Sequence, residues 1–199
     1  FLLFDGLQTI WIASTNGLFA LNTTTGKAVH FNTENSGLQS NYIKHILIDK
    51  QHTMWLATDA GLARVDGFEN MEKAGIVSFP TEGLPSNYVK QLTEDHNGNI
   101  WVGADGGIAL IDRASGNPIR VFSHNINDPN SLSNNYVKAI ATDSKGKIWI
   151  GHDLGLSIFD PEDQKFVNHQ AGYEDEYGIV NNYVKCLLLD DHDIMWIGT

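Results

Sequence analysis

Asp95-His96-Asn97-Gly98-Asn99-Ile100-Trp101-Val102-Gly103 decides the architecture, because variants of it stand in four more places. Trp11, Trp55, Trp101, Trp149 and Trp196 follow one another at intervals of 44, 46, 48 and 47 residues. An Asp stands six residues before each: Asp5, Asp49, Asp95, Asp143 and Asp190. Gly17, Gly61, Gly107 and Gly155 lie at plus six from the first four indoles, and Asn22, Asp66, Asp112 and Asp160 at plus eleven. Tyr42, Tyr88, Tyr136 and Tyr183 precede the next Trp by 13 residues. Length changes only between the plus-eleven residue and the next Tyr. A fixed frame at this period marks a tandem array of one structural unit.

Each unit reads as four strands. In the third, residues 89–94 form a strand of β-compatible residues and 95–99 a turn, since Asn-Gly supplies positive φ. Residues 100–103 form the second strand, and Gly107 opens a third over 108–111 at a position that needs φ above zero. Residues 113–118 turn, 119–122 form the fourth strand, and 123–134 return to the next unit. Gly, Asn and Asp at fixed turn positions disfavour helical repeats. The expected fold is all-β: a β-propeller segment of four-stranded antiparallel blades, about four and a half of them, in an incomplete ring. It is read as a single propeller fragment over 1–199, with blades near 1–35, 41–80, 87–124 and 135–169 and a partial one over 182–199. On such strands the Trp residues pack between blades, and the Asp residues cap turn amides.

The formal net charge is −11 and no basic stripe is present, which excludes nucleic-acid binding as the expected role. No apolar run approaches the roughly 18 residues of a membrane span, so no membrane contact by this segment is expected. Cys186, the single cysteine, reads as a small core residue. The chain begins within a first strand and stops within a second one. The expectation is an excerpt of a longer propeller of about seven blades. Its open blade edges would self-associate or meet other domains of the same parent chain.

Asp128-Pro129-Asn130-Ser131-Leu132-Ser133-Asn134-Asn135-Tyr136-Val137-Lys138-Ala139-Ile140, followed by Asp143-Ser144-Lys145-Gly146-Lys147-Ile148-Trp149-Ile150-Gly151, resembles the two-component regulator propeller repeat. The pattern recurs at 84–103 and, with more departures, at 38–57 and 180–198. Gln8, His52 and Asp193 replace the turn Gly of Gly98 and Gly146, and Ala13 and Ala57 replace the Gly after the Trp strand. The resemblance implies the extracytoplasmic sensor region of a bacterial membrane-bound histidine kinase or diguanylate cyclase. It further implies a periplasmic location, as part of an inner-membrane protein, and for several members a response to oligosaccharides.

Within the repeat, Asn-Tyr-Val-Lys and its variants fall where the return loop enters the innermost strand, at the channel mouth. Asn41, Asn87, Asn135, Asn182, Tyr42, Tyr88, Tyr136 and Tyr183 are therefore candidate ligand-binding residues, with amides and phenols for sugar hydroxyls and rings for stacking. The competing reading is structural: Asn caps the loop, Tyr wedges between blades, and Lys44, Lys90, Lys138 and Lys185 pair with nearby Asp. His45 and Gln91 vary at one inner-strand position shared with Ala139 and Cys186. Asp59, Asp105 and His152 lie in loops on the same rim, and these five join the candidate set. The acidic loop Tyr173-Glu174-Asp175-Glu176-Tyr177 reads as a solvated connection. No unique carboxylate pair of a glycosidase stands out, nor a Ser nucleophile motif or phosphate-cradling loop, and no cofactor, catalytic residue or metal site is assigned. The function read from all this is non-catalytic sensing of a small molecule or oligosaccharide. The alternatives are a propeller enzyme acting on polysaccharide (a glycosidase or lyase) and a protein-protein interaction scaffold.

Overall fold

The computed structural model describes residues 1–172 and 178–199; the acidic loop read at 173–177 lies outside them. Among the described residues, four antiparallel sheets of four strands and one of two follow one another in chain order. The first holds β1 (Leu2–Phe4), β2 (Thr9–Ser14), β3 (Gly17–Asn22) and β4 (Ala28–Phe31); the second β5 (Ile43–Ile48), β6 (Met54–Thr58), β7 (Gly61–Asp66) and β8 (Gly75–Ser78). The third holds β9 (Val89–Glu94), β10 (Ile100–Ala104), β11 (Gly107–Ile111) and β12 (Pro118–Phe122); the fourth β13 (Val137–Thr142), β14 (Ile148–His152), β15 (Gly155–Asp160) and β16 (Lys165–His169). The last pairs β17 (Cys186–Leu189) with β18 (Met195–Gly198). In each sheet the strands pair in chain order, and the first strands neighbour one another: β5 beside β9, β9 beside β13, β13 beside β17. These are the blades of a β-propeller arranged as an open arc. Pro118, read as a turn residue, instead opens β12, an edge strand where its missing N–H costs no ladder bond.

The apolar pattern explains the layering. β6, β10 and β14 are buried at every position, as second strands covered by a blade on each side. The fourth strands β8 and β16 alternate, with one side toward solvent. Trp55 packs with Val89, Leu92 and Ile100 of the next blade, and Trp101 with Ile140, Ile148 and Phe159 of the one after. Trp149 meets Val184 and Leu187 in the same way. Phe31 of β4, Phe79 directly after β8 and Phe122 of β12 stack on Trp11, Trp55 and Trp101, with ring centroids 5.6–6.2 Å apart. Trp196 differs: it is 59% exposed, because no strand among the described residues lies over its sheet face. The same cause corrects the reading of Cys186, which is exposed rather than a core residue.

The recurring Asp does more than cap its turn. Asp95 accepts the N–H groups of Asn97 and Asn99 on Oδ1 (2.9 Å each), and on Oδ2 it accepts the indole N–H of Trp101 at 2.9 Å. Asp49–Trp55 (2.7 Å), Asp143–Trp149 (2.8 Å) and Asp190–Trp196 (2.7 Å) repeat the bond. The turn between them takes φ near +60 to +80° at its fourth residue: His52, Gly98, Gly146 and Asp193. The first blade departs. There the positive φ falls on Gly6, the first residue after Asp5, and Asp5 Oδ1 accepts Leu7, Gln8 and Thr9. With the turn reshaped, Asp5 Oδ2 and Trp11 Nε1 are both buried without a hydrogen-bond partner.

The glycines that open the third strands are fixed by space as well as by φ. A Cβ on Gly107 (φ +134°) would sit 2.2 Å from the Phe122 carbonyl oxygen.

This difference between blades sets a stability test. Trp55→Phe and Trp101→Phe each remove a hydrogen bond to a buried carboxylate oxygen, which keeps Arg113 Nη2 in the one case and Asn99 Nδ2 in the other, and are expected to cost about 1–3 kcal/mol in denaturant unfolding. Trp11→Phe removes a donor that bonds nothing and is expected to cost clearly less.

Candidate functional site

The rim at which the inner strands begin gathers the residues read as candidates, and a backbone irregularity builds it. In the inner strands of the second, third and fourth blades the register with the neighbour slips by one residue. Ile43 opposes Thr58 but His45 opposes Ala57, so Lys44 is the extra residue of a bulge. Lys90 and Lys138 occupy the same place. A bulge re-aims its side chain, and each lysine turns onto an aspartate of the hairpin between the second and third strands. Lys44 meets Asp59 at 2.6 Å and Lys138 meets Asp153 at 3.4 Å, while Lys90 pairs with Asp105. The hairpins are held from behind: the N–H groups of Asp59 and Asp105 each donate to the carbonyls of Tyr42 and Tyr88 at 3.2 Å. The spacing of 15 residues between each lysine and its aspartate was a sequence signal available in three repeats.

Tyr42, Tyr88, Tyr136 and Tyr183 line this rim with 43–58% of their surface exposed, so they do not wedge between blades. The lysine of one blade leans over the tyrosine of the next: Lys44 Nζ lies 5.2 Å from the Tyr88 ring centroid and Lys138 Nζ 5.3 Å from that of Tyr183. Lys185 lies 5.4 Å from the Tyr183 ring. Partial burial opposes the charge on Lys138, but hydrogen bonds and charge from Tyr183 and Asp153 prevail and hold its ammonium above the usual lysine range.

The asparagines serve the frame. The Oδ1 atoms of Asn41, Asn135 and Asn182 accept the return-loop N–H groups of Thr33 (2.8 Å), His124 (2.6 Å) and Ala171 (2.6 Å). The carbonyls of Asn41, Asn87 and Asn135 receive the N–H groups of Gly17, Gly61 and Gly106 in the preceding blade at 2.8–2.9 Å. Each therefore staples two blades together at the rim. Asn87 is exposed.

The inner-strand candidates His45 and Gln91 meet neighbouring blades. His45 is buried, with its ring 4.3 Å from that of Phe1. Gln91 is half-buried, and its Oε1 accepts Ile140 N of the next blade at 3.3 Å. His152 is fully buried and so lies beneath the rim rather than on it. Its Nδ1 accepts Leu154 N at 3.2 Å, the role that the Thr58 hydroxyl plays for Ala60 in the second blade. Its proton therefore sits on Nε2, which faces Ser133 Oγ (2.9 Å) and Ser157 Oγ (2.8 Å). Ser157 donates on to Asn168 Oδ1 at 2.6 Å, and Asn168 donates to the Ser131 carbonyl at 3.0 Å. Ser133, Ser157 and Asn168 carried no signal in sequence, since their positions hold unrelated residues in the other repeats. Among the described residues no group of three or more His, Cys, Asp or Glu is placed to hold a metal ion.

Away from the rim, a groove of about 610 Å³ runs between the fourth sheet and the β17–β18 pair. Trp149, Ile158, Val167, Leu189, Met195 and Ile197 form its apolar walls.

The two buried imidazoles predict an acid response. Burial lowers His45 to about 4, helped by the positive amino terminus, and burial lowers His152 to about 4 against a weaker opposing pull from Asp153. An unfolded histidine titrates near 6.5. The stability these groups contribute is full above pH 6.5 and falls as the pH drops toward 4, by at most about 3 kcal/mol per histidine. Denaturant unfolding between those pH values is expected to give a shallower slope for His152→Asn than for the parent chain.

Residues 37–60, 83–106, 131–153 and 178–199 match the family model described as "Two component regulator propeller". No curated protein sequence matches the chain. Among solved structures, the extracellular domain of a hybrid two component system from B. thetaiotaomicron superposes with TM-score 0.78 at 23% identity, covering 100% of this chain and 25% of that one. A second such domain from the same organism gives TM-score 0.73 at 22% identity over 96% and 24%. Virginiamycin B lyase from Staphylococcus aureus gives TM-score 0.70 at 15% identity over 98% and 61%. At these identities the likeness shows the fold, and the chain spans about a quarter of the length of the two-component structures it matches.

Proposed function

Because its repeats are those of the two-component regulator propeller, we propose that this chain is part of the extracytoplasmic sensing region of a bacterial membrane-bound signalling protein. It binds a ligand at the rim of the inner strands and carries out no chemistry on it. The observation that carries the reading is the state of the rim carboxylates. Asp59, Asp105 and Asp153 are each engaged by a lysine of their own blade, at the same place in the repeat three times over. A glycosidase needs two carboxyl groups of different protonation facing one bond. Three equivalent ion pairs offer no such division of roles, whereas exposed phenols beside fixed charges offer a recognition surface. The extracellular setting of the two-component structures with this fold supports the location.

Binding at the rim transmits a signal only through different affinities for two arrangements of the parent protein. Isothermal calorimetry with small oligosaccharides is expected to show saturable heat, and product analysis after prolonged incubation is expected to show the sugars unchanged. Turnover by this chain would overturn the non-catalytic reading.

The exposed apolar faces at the two ends of the arc support a proposed contact with further blades of a longer propeller or with a second copy. Leu2 and Phe4 lie at one end and Leu188 and Trp196 at the other, each more than half exposed. Sedimentation of the 199-residue chain is expected to show concentration-dependent association, reduced by Leu188→Lys; a monomer at every concentration contradicts it.

A further inference from the structure

The rim tyrosines stand in a frame of matched charge, and that match defines which ligands they accept. Lys44, Lys90 and Lys138 stand on the rim, each already engaged by Asp59, Asp105 or Asp153, whereas Lys185, 5.4 Å from the Tyr183 ring, has no such aspartate among the described residues. The lysine side chains are only 18–30% exposed and the aspartates 24–33%, so the pairs are half-sheltered and less screened than open surface pairs. An anionic ligand approaching the rim meets carboxylates as well as ammonium groups, on a chain of formal net charge −11. To gain a lysine it must first displace an aspartate and leave that carboxylate without its partner.

A hydroxyl-rich neutral ligand meets no such penalty. A carboxylate has about four acceptor positions, and one lysine leaves several of them for sugar hydroxyl donors. The phenols donate and accept, and their rings supply flat apolar surface for the C–H faces of a pyranose. One face of Tyr88 and one of Tyr183 are taken by the preceding blade's lysine. What remains exposed is a repeated aromatic and carboxylate surface, one set per blade, which suits an oligomer of like units.

We propose that Tyr42, Tyr88 and Tyr136 bind uncharged glycan chains and exclude sulfated or uronate ones, because Lys44, Lys90 and Lys138 are already neutralised in place by aspartates. The inference rests on the sensing reading and narrows its ligand class.

The test uses the 199-residue chain labelled with 3-fluorotyrosine, its rim signals assigned by single Tyr→Phe variants. Cellohexaose, xylohexaose and mannohexaose serve as neutral probes, and a heparin hexasaccharide and hexagalacturonate as anionic ones. The neutral set is expected to shift rim tyrosine signals saturably, the anionic set to leave them in place. Tyr136→Leu is expected to weaken neutral binding by up to about tenfold. Asp59→Asn, Asp105→Asn and Asp153→Asn combined, or Asp105→Asn alone where the triple variant does not fold, are expected to unmask the lysines and admit the anionic probes. Anionic binding to the parent chain without neutral binding overturns the inference and leaves the sensing reading standing. Silence from every probe overturns the inference and removes the rim from the sensing reading too. Anionic binding that the aspartate substitutions leave unchanged overturns the proposed role of the ion pairs.

Discussion

The bond from the indole N–H of Trp to a carboxylate oxygen six residues earlier is the interaction on which the second to fifth blades depend. The indoles of Trp55, Trp101 and Trp149 are buried between two sheets, where an N–H without a partner is costly. The Asp turns one oxygen to its own turn amides and the other to the indole, so one side chain sets the hairpin and anchors the largest packing group. In the second blade the carboxylate also draws in Arg113 of the third blade at 2.5 Å, which ties two neighbours together at the lower rim. Arg113 stands where the other blades have Thr23, Gly67 and Pro161, so this clamp is made once. For Asp190 the indole bond is the first cause that holds the carboxyl below its usual range, followed by the Ile194 and His192 amides.

The rim follows from the opposite end of the same hairpin. Once Asp and Trp fix the second strand against the first, the Lys bulge absorbs the extra residue before the strand ends. The lysine and the aspartate then meet, and the Asn carbonyl of the next blade closes on the hairpin of the last. Scaffold and recognition surface are thus two ends of one repeated device. What varies from blade to blade lies inside it: Phe1, His45, Gln91, Ala139 and Cys186 on the inner strands, and the His152 hydroxyl network in the fourth blade alone.

The repeat frame was legible because its period, its turn residues and its strand pattern all agree. The turn role of Asp was legible from residue type. Its grip on the indole was not, since six residues of separation become contact only when the hairpin folds back. The bulge at Lys44, Lys90 and Lys138 leaves no mark in the apolar pattern, which is why Asp59 and Asp105 stood among the candidates as loop residues and Asp153 did not. His152 looked like a rim residue by position; its burial comes from Ser133, Ser157 and Asn168, brought in from the return loop and the outer strands. Cys186 and Trp196 carry the same local sequence signals as their buried counterparts, and only the sheet that covers or bares them decides their exposure.

The most direct measurement is the set of indole Nε1–H resonances in a ¹⁵N-correlated NMR spectrum, assigned by single Trp→Phe variants. The Trp55, Trp101, Trp149 and Trp196 protons should lie downfield of Trp11, whose buried indole bonds to nothing. Five indoles alike in shift, or Trp11 furthest downfield, would contradict the account.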